Sequence, residues 1–109
     1  MSLYGEYISE RLGHSIIETE EGFATYRCVD ENTVYIMDIY VKPDFRDGHV
    51  ATDLADKIVD TVKKNGCKKL IGSVCPSAKG STTSLKVLLA YGMRLESCSP
   101  DFILMSKEI

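Results

Sequence analysis

From Val50 to Lys64 the apolar residues Val50, Leu54, Ile58 and Val62 recur every fourth position, with Ala51, Ala55 and Val59 beside them. Thr52, Asp53, Asp56, Lys57, Asp60, Lys63 and Lys64 occupy the other side, so the stretch predicts an amphipathic helix laid on a core. Asp53 with Lys57 and Asp60 with Lys64 add attraction across one turn, and Asn65-Gly66 supplies a stop. Upstream the pattern is extended: His14 to Glu18, Phe23 to Val29 and Thr33 to Val41, separated by Glu20-Glu21-Gly22 and Asp30-Glu31-Asn32. These separators read as hairpin turns, which predicts antiparallel pairing. The third segment is apolar at both alternating sets of positions, as in a central strand covered on each side, and Pro43 ends it.

Lys68 to Cys75 reads as a buried strand that, following the helix, should lie parallel to the third segment through a right-handed crossover. Pro76 and Gly80 precede a second helix from Thr82 to Tyr91, ended by Gly92, with Ser81, Thr82, Thr83 and Ser84 as candidate caps. Met93 to Cys98 and Phe102 to Lys107 form a last strand pair about Ser99-Pro100-Asp101. With a short helix from Leu3 to Leu12 ended by Gly13, the order is α-β-β-β-α-β-α-β-β, a mixed-sheet α/β fold.

A length of 109 residues accommodates one domain, residues 1–109, because two would each lack an interior. A net charge of −3 weighs against a nucleic-acid binder, and no apolar run is long enough to span a membrane, so the chain reads as cytoplasmic. Cys28, Cys67, Cys75 and Cys98 form no Cys-x-x-Cys pair and read as reduced, buried thiols. Neither these cysteines nor His14 and His49 cluster at ligand spacing, so no metal is expected.

The stretch Val41-Lys42-Pro43-Asp44-Phe45-Arg46-Asp47-Gly48-His49-Val50-Ala51 carries a central strand through a turn into a helix start. Free N–H groups and the helix dipole make such a junction an anion site suited to a diphosphate, although many glycine-containing turns of this kind bind nothing. The segment resembles the acetyl-CoA signature of the GNAT acetyltransferase family, in which a strand ending Val-x-Pro leads through Arg-x-x-Gly-x-Gly/Ala to a long helix. Val41, Pro43, Arg46 and Ala51 match that pattern, and Tyr91-Gly92-Met93 resembles the family's Leu-Gly-Phe. Two positions depart: the central glycine falls at His49, with Gly48 one place early, and the tyrosine that often protonates the leaving thiolate corresponds to Leu88.

The resemblance implies a GNAT-like fold with acetyl-CoA as co-substrate and a primary amine of a small molecule or peptide as acceptor. It implies cofactor contacts at Ile39, Tyr40, Val41, Arg46, Asp47, Gly48, His49, Val50, Ala51, Ser81 and Ser84, with Ser81 where the family often has asparagine. Asp38 lies where the family frequently carries the glutamate that drains the amine's proton. A carboxylate in an apolar strand is costly to bury unpaired, which suits either such a task or a strand face open to solvent. Tyr91 is the remaining candidate acid, although helix-end tyrosines usually pack.

The family normally places further helices before the segment matching His14, where only about a dozen residues stand here, so the acceptor side is expected to be open. An edge strand at the C-terminal end would offer a second copy a pairing surface, and a homodimer is one assembly the sequence allows. His49 and Leu88 favour an alternative, a non-catalytic CoA-binding or interaction module of the same fold. A mixed α/β interaction domain without a ligand requires the Arg46 to Ala51 turn to be coincidence.

Overall fold

The extended and helical periods are realised in the expected order in the computed structural model, which describes residues 2–46 and 48–109. Helix α1 (Leu3–Tyr7) is capped by Ser2, whose hydroxyl accepts from the Gly5 N–H at 3.0 Å. It runs into a π-helical turn (Ile8–Leu12) that stops at Gly13, where φ is 67° and a side chain would be strained. Strands β1 (Ser15–Glu18), β2 (Gly22–Cys28) and β3 (Thr33–Val41) follow as antiparallel neighbours. A 3₁₀ turn (Pro43–Phe45) leads to α2 (Val50–Lys63), then come β4 (Lys69–Val74), α3 (Ser81–Ala90), β5 (Arg94–Ser99) and β6 (Phe102–Glu108). No helix among the described residues is long and apolar enough to cross a membrane.

The sheet has the order β1-β2-β3-β4-β6-β5, with β3 and β4 parallel at its centre. Alternation puts Ala24, Val34, Ile36, Leu70 and Val74 on one face, where they pack against Leu54, Ala55, Ile58 and Val62 of α2 and Leu88 of α3. The apolar side of α2 is thus the core side, as its period predicted. The expectation that β3 is covered on both sides needs correcting, because Asp38 and Tyr40 on its second face are exposed. That face is covered toward β1, where Tyr4 of α1 packs against Phe23 in a tilted arrangement with ring centroids 5.5 Å apart. The cysteine reading also needs correcting: all four thiols are free, but only Cys67 is buried.

Two irregularities shape the site. In β3, Tyr26 pairs with Ile36 and Thr25 with Asp38, so Met37 is an extra residue, a β-bulge that reverses which side chains face the core. Parallel pairing with β4 stops at Ile36–Gly72, whereas β3 stays paired to β2 as far as Val41–Gly22. At that end a Cβ on Gly22 would lie 2.2 Å from the Tyr40 carbonyl oxygen, so the approach of the two strands requires glycine. Gly22→Ala should therefore destabilise the protein by about 1–3 kcal/mol in urea unfolding, from overpacking against a backbone atom; a loss below the error of the measurement would contradict this.

Candidate functional site

Where β3 and β4 part, a cleft of about 680 Å³ opens, bounded by the end of β3, the start of α2, Gly72 and Ser73 of β4, and one side of α3. Its β3 wall is an unusual surface, because beyond Ile36 the backbone groups that point toward β4 have no strand to pair with. Arg46 answers one of them: its Nε donates to the Val41 carbonyl at 2.9 Å, while the guanidinium lies 5.5 Å from the Tyr40 ring centroid. Tyr40 in turn stacks on Phe23 at 5.7 Å. This fixes Arg46 at the mouth with one of its five donors spent on Val41.

Beside it, α2 begins at His49 with no side-chain cap, and Asp53 is the first residue whose N–H bonds back along the helix, to the His49 carbonyl at 2.9 Å. The N–H groups of the first turn have no partner within the helix and favour negative charge. Gly48 is less available, since its N–H donates to the Phe45 carbonyl at 3.4 Å. His49 Nδ1 lies 2.8 Å from Asp53 Oδ2. That hydrogen bond, and then the charge of Asp53, raise the imidazole above its ordinary pKa, so it carries positive charge to a higher pH than usual.

The opposite lip is the loop after β4, pinned by Asp101, which accepts from the Ser77 N–H at 2.9 Å and its hydroxyl at 2.6 Å. Those two hydrogen bonds hold the Asp101 carboxyl below the usual carboxylate range. The loop brings Lys79 to the cleft, and α3 adds Lys86. Among the described residues the lining thus contains Arg46, Lys79, Lys86 and His49 but no carboxylate, in a chain with 16 acidic residues. A smaller hollow of about 300 Å³ on the other flank of α2 is the reverse, with Glu21, Asp53 and Asp56 against Lys57, and would repel an anion.

Of the residues anticipated from sequence, Ile39, Tyr40, Val41, Arg46, Gly48, His49, Ala51 and Ser84 line this cleft. Val50 instead packs against the core, and Asp47 lies outside the described residues. The anticipated caps of α3 need correcting: Gly80 holds the N-cap position without a side-chain bond, and Ser81 turns its hydroxyl to the Pro76 carbonyl at 2.9 Å, away from the cleft. Asp38 stands outside the cleft on the exposed sheet face, with the buried Thr25 hydroxyl 3.5 Å away, so the argument from burial does not apply to it. Tyr91 is also outside: its hydroxyl donates to Asp56 at 2.7 Å, and Lys107 Nζ, 4.4 Å from its ring centroid, donates to its carbonyl.

Sequence reasoning missed Met37, Ser73, Lys79 and Lys86. The spacing of Thr83, Ser84, Val87 and Leu88 on one side of a helix was the available signal for α3; nothing in the sequence marks where β4 leaves β3 and exposes Ser73.

A family model described as Acetyltransferase (GNAT) family matches residues 7–82. No curated protein matches the sequence. A GNAT family acetyltransferase from Elizabethkingia anophelis with acetyl-CoA bound is 19% identical, with 95% of this chain and 82% of that one covered at a TM-score of 0.74. The PaiA N-acetyltransferase from Thermoplasma acidophilum in complex with coenzyme A is 15% identical, covering 98% and 69% at 0.76. An acetyltransferase from Bacillus subtilis in complex with CoA is 14% identical, covering 95% and 83% at 0.72. At these identities the likeness is one of fold.

The Tyr91 clamp between α3 and α2 is separately testable. Burial first, then the bond to Asp56, pushes the phenol well above its ordinary value, so the stabilisation is complete below about pH 10 and is lost as pH rises through the folded-state value. Tyr91→Phe should cost about 1 kcal/mol at neutral pH and flatten the alkaline fall in unfolding free energy. An unchanged alkaline slope would show that the phenol does not titrate with folding.

Proposed function

Because the chain belongs to the GNAT acetyltransferase family, we propose that it transfers an acetyl group from acetyl-CoA to a primary amine of a peptide or small molecule by direct attack. The observation that carries this is the cleft itself, which has cations and the start of α2 at its mouth and an unpaired strand edge along its floor. The residues fit the co-substrate. Arg46, His49 and the first turn of α2 would hold the diphosphate, with Lys79 and Lys86 within the same cationic lining. The free edge of β3 from Met37 to Tyr40 would pair with the amides of the pantetheine arm and hold the thioester carbonyl.

Bound acetyl-CoA supplies the activated acetyl group, and the chain supplies position. Ligand alignment along β3 would place the reacting carbon near the split, open to the sheet face that carries Asp38. From that exposed place Asp38 would take the amine's proton through water and pass it to solvent. We treat residues 1–109 as one such domain, in the cytoplasm, with neither nucleic acid nor membrane as its partner. Strand β5, exposed along its length at the sheet edge, is the surface on which a homodimer would form.

The second reading, a non-catalytic module of the same fold, is favoured by one observation. The methyls of Leu88 would lie within 3.5–3.6 Å of a Cβ on Gly72, so the place expected to hold a tyrosine hydroxyl is apolar. Titration with acetyl-CoA followed by calorimetry, then thiol release with a panel of amines and peptides, separates the two. Saturable binding with turnover supports the enzyme, binding without turnover supports the module, and no binding at millimolar ligand removes both.

Two variants sharpen the test. Asp38→Asn should lower kcat by about 10- to 100-fold and spare acetyl-CoA affinity; an unchanged rate retires Asp38 as proton acceptor. Since imidazolium favours an anion and imidazole does not, affinity for acetyl-CoA should weaken between pH 6 and pH 8 more in the native chain than in His49→Ala. Parallel pH curves would remove His49 from the diphosphate site.

A further inference from the structure

With Leu88 apolar and Tyr91 bound to Asp56, neither hydroxyl expected from the end of α3 reaches the split in the sheet. A hydroxyl reaches it from the sheet itself. Ser73 follows Gly72, the last β4 residue paired to β3, and lines the cleft while hydrogen-bonded to Tyr35 Oη. Tyr35 pairs with Ile71, so Ser73 stands two residues further along on the same face, within diagonal reach of a long phenol. Arg27 lies over that ring, its guanidinium 5.8 Å from the ring centroid.

Other hydroxyls in the cleft lie elsewhere. Thr83 and Ser84 stand a helical turn or more before Leu88, toward the start of α3, Thr52 is on the first turn of α2, and Tyr40, four residues past the last β3 residue paired to β4, stacks on Phe23. Only a group at the split can meet the sulfur of a ligand whose diphosphate sits at the α2 mouth and whose arm follows β3.

We propose that Ser73, backed by Tyr35, donates the proton that the departing coenzyme sulfur requires. This rests on the acetyl-transfer reading above. As the C–N bond forms and the C–S bond breaks, the sulfur leaves with the bonding electron pair; the Ser73 Oγ–H proton passes to it, and the Tyr35 Oη–H proton replaces the one lost by Ser73. Water then reprotonates the phenolate, and the amine's proton leaves separately to solvent, so the protons balance. An alcohol alone is a poor donor to a thiolate, because it must become an alkoxide. A phenol behind it moves the charge from an alkoxide onto a phenolate oxygen, which carries it more readily. Ser73 is the group that would touch sulfur, and Tyr35 is a positioning residue acting through it.

Calorimetry with CoA and with desulfo-CoA tests the contact without any acceptor. The native chain should prefer CoA by about 3- to 10-fold, the worth of one hydrogen bond. Ser73→Ala should abolish the preference, Ser73→Thr should restore it, and Tyr35→Phe should reduce it. In acetyl transfer, Ser73→Ala and Tyr35→Phe should each lower kcat about 10- to 100-fold with KM for acetyl-CoA unchanged, and the double variant should be no worse than Ser73→Ala alone. Equal binding of the two nucleotides by the native chain, or a preference that survives Ser73→Ala, overturns this inference and leaves the proposed function standing. A native chain that binds neither overturns both.

Discussion

A β-strand has backbone donors and acceptors along two edges, and both must be answered or left to water or a ligand. In this chain β2 answers one edge of β3 as far as Val41, while β4 answers the other only as far as Ile36. Everything of chemical interest lies along the difference between those two limits. The cleft begins there, the first turn of α2 faces it, and Arg46 closes its outer end by taking the Val41 carbonyl. An extended ligand bearing amides can complete the ladder as a missing strand would.

The charge arrangement follows the same division. The chain is net acidic, yet the described cleft lining carries no carboxylate, and the acids next to it on α2 face the other flank. Local fields over a few ångströms decide binding here, because charges beyond about 10 Å are largely screened at ordinary ionic strength. An overall charge of −3 therefore says little about affinity for a diphosphate. The Asp53 carboxylate contributes indirectly by keeping the His49 imidazole protonated to higher pH at the mouth.

Much of the architecture could be read from periodicity because it rests on local rules. The strand Thr33–Val41 has the bounds read from the sequence, and the helix predicted over Val50 to Lys64 ends within one residue of its expected stop. The strand-to-helix junction was legible for the same reason, since a turn, an arginine and a helix start are adjacent in sequence. What could not be read depends on where elements separate in space. Ser73 is an ordinary strand residue until β4 diverges, and the three exposed cysteines stand at the last residue of β2, just past the end of β4 and on the exposed edge strand β5. The capping of α3 was misjudged because four consecutive hydroxyl residues offer many local bonds, and Ser81 takes one backward to Pro76 rather than forward into the helix.

Asp38 shows how a local rule can mislead when a single residue is inserted. Ile36 and Asp38 are two apart, so an unbroken strand would place both on the core face and drive a carboxylate among Ala24, Leu54 and Ile58. Burying that charge unpaired would cost several kcal/mol, comparable to a large part of a small domain's whole stability. The bulge at Met37 removes the conflict: Ile36 stays opposite Tyr26, Asp38 moves opposite Thr25, and Ile39 returns to the side of Ala24. The same shift turns the carboxylate to the exposed face that also carries Tyr35 and the Ser73 hydroxyl it binds. One extra residue thus lets a strand that is apolar by composition serve as core on one side and carry polar chemistry on the other, just where its pairing with β4 ends.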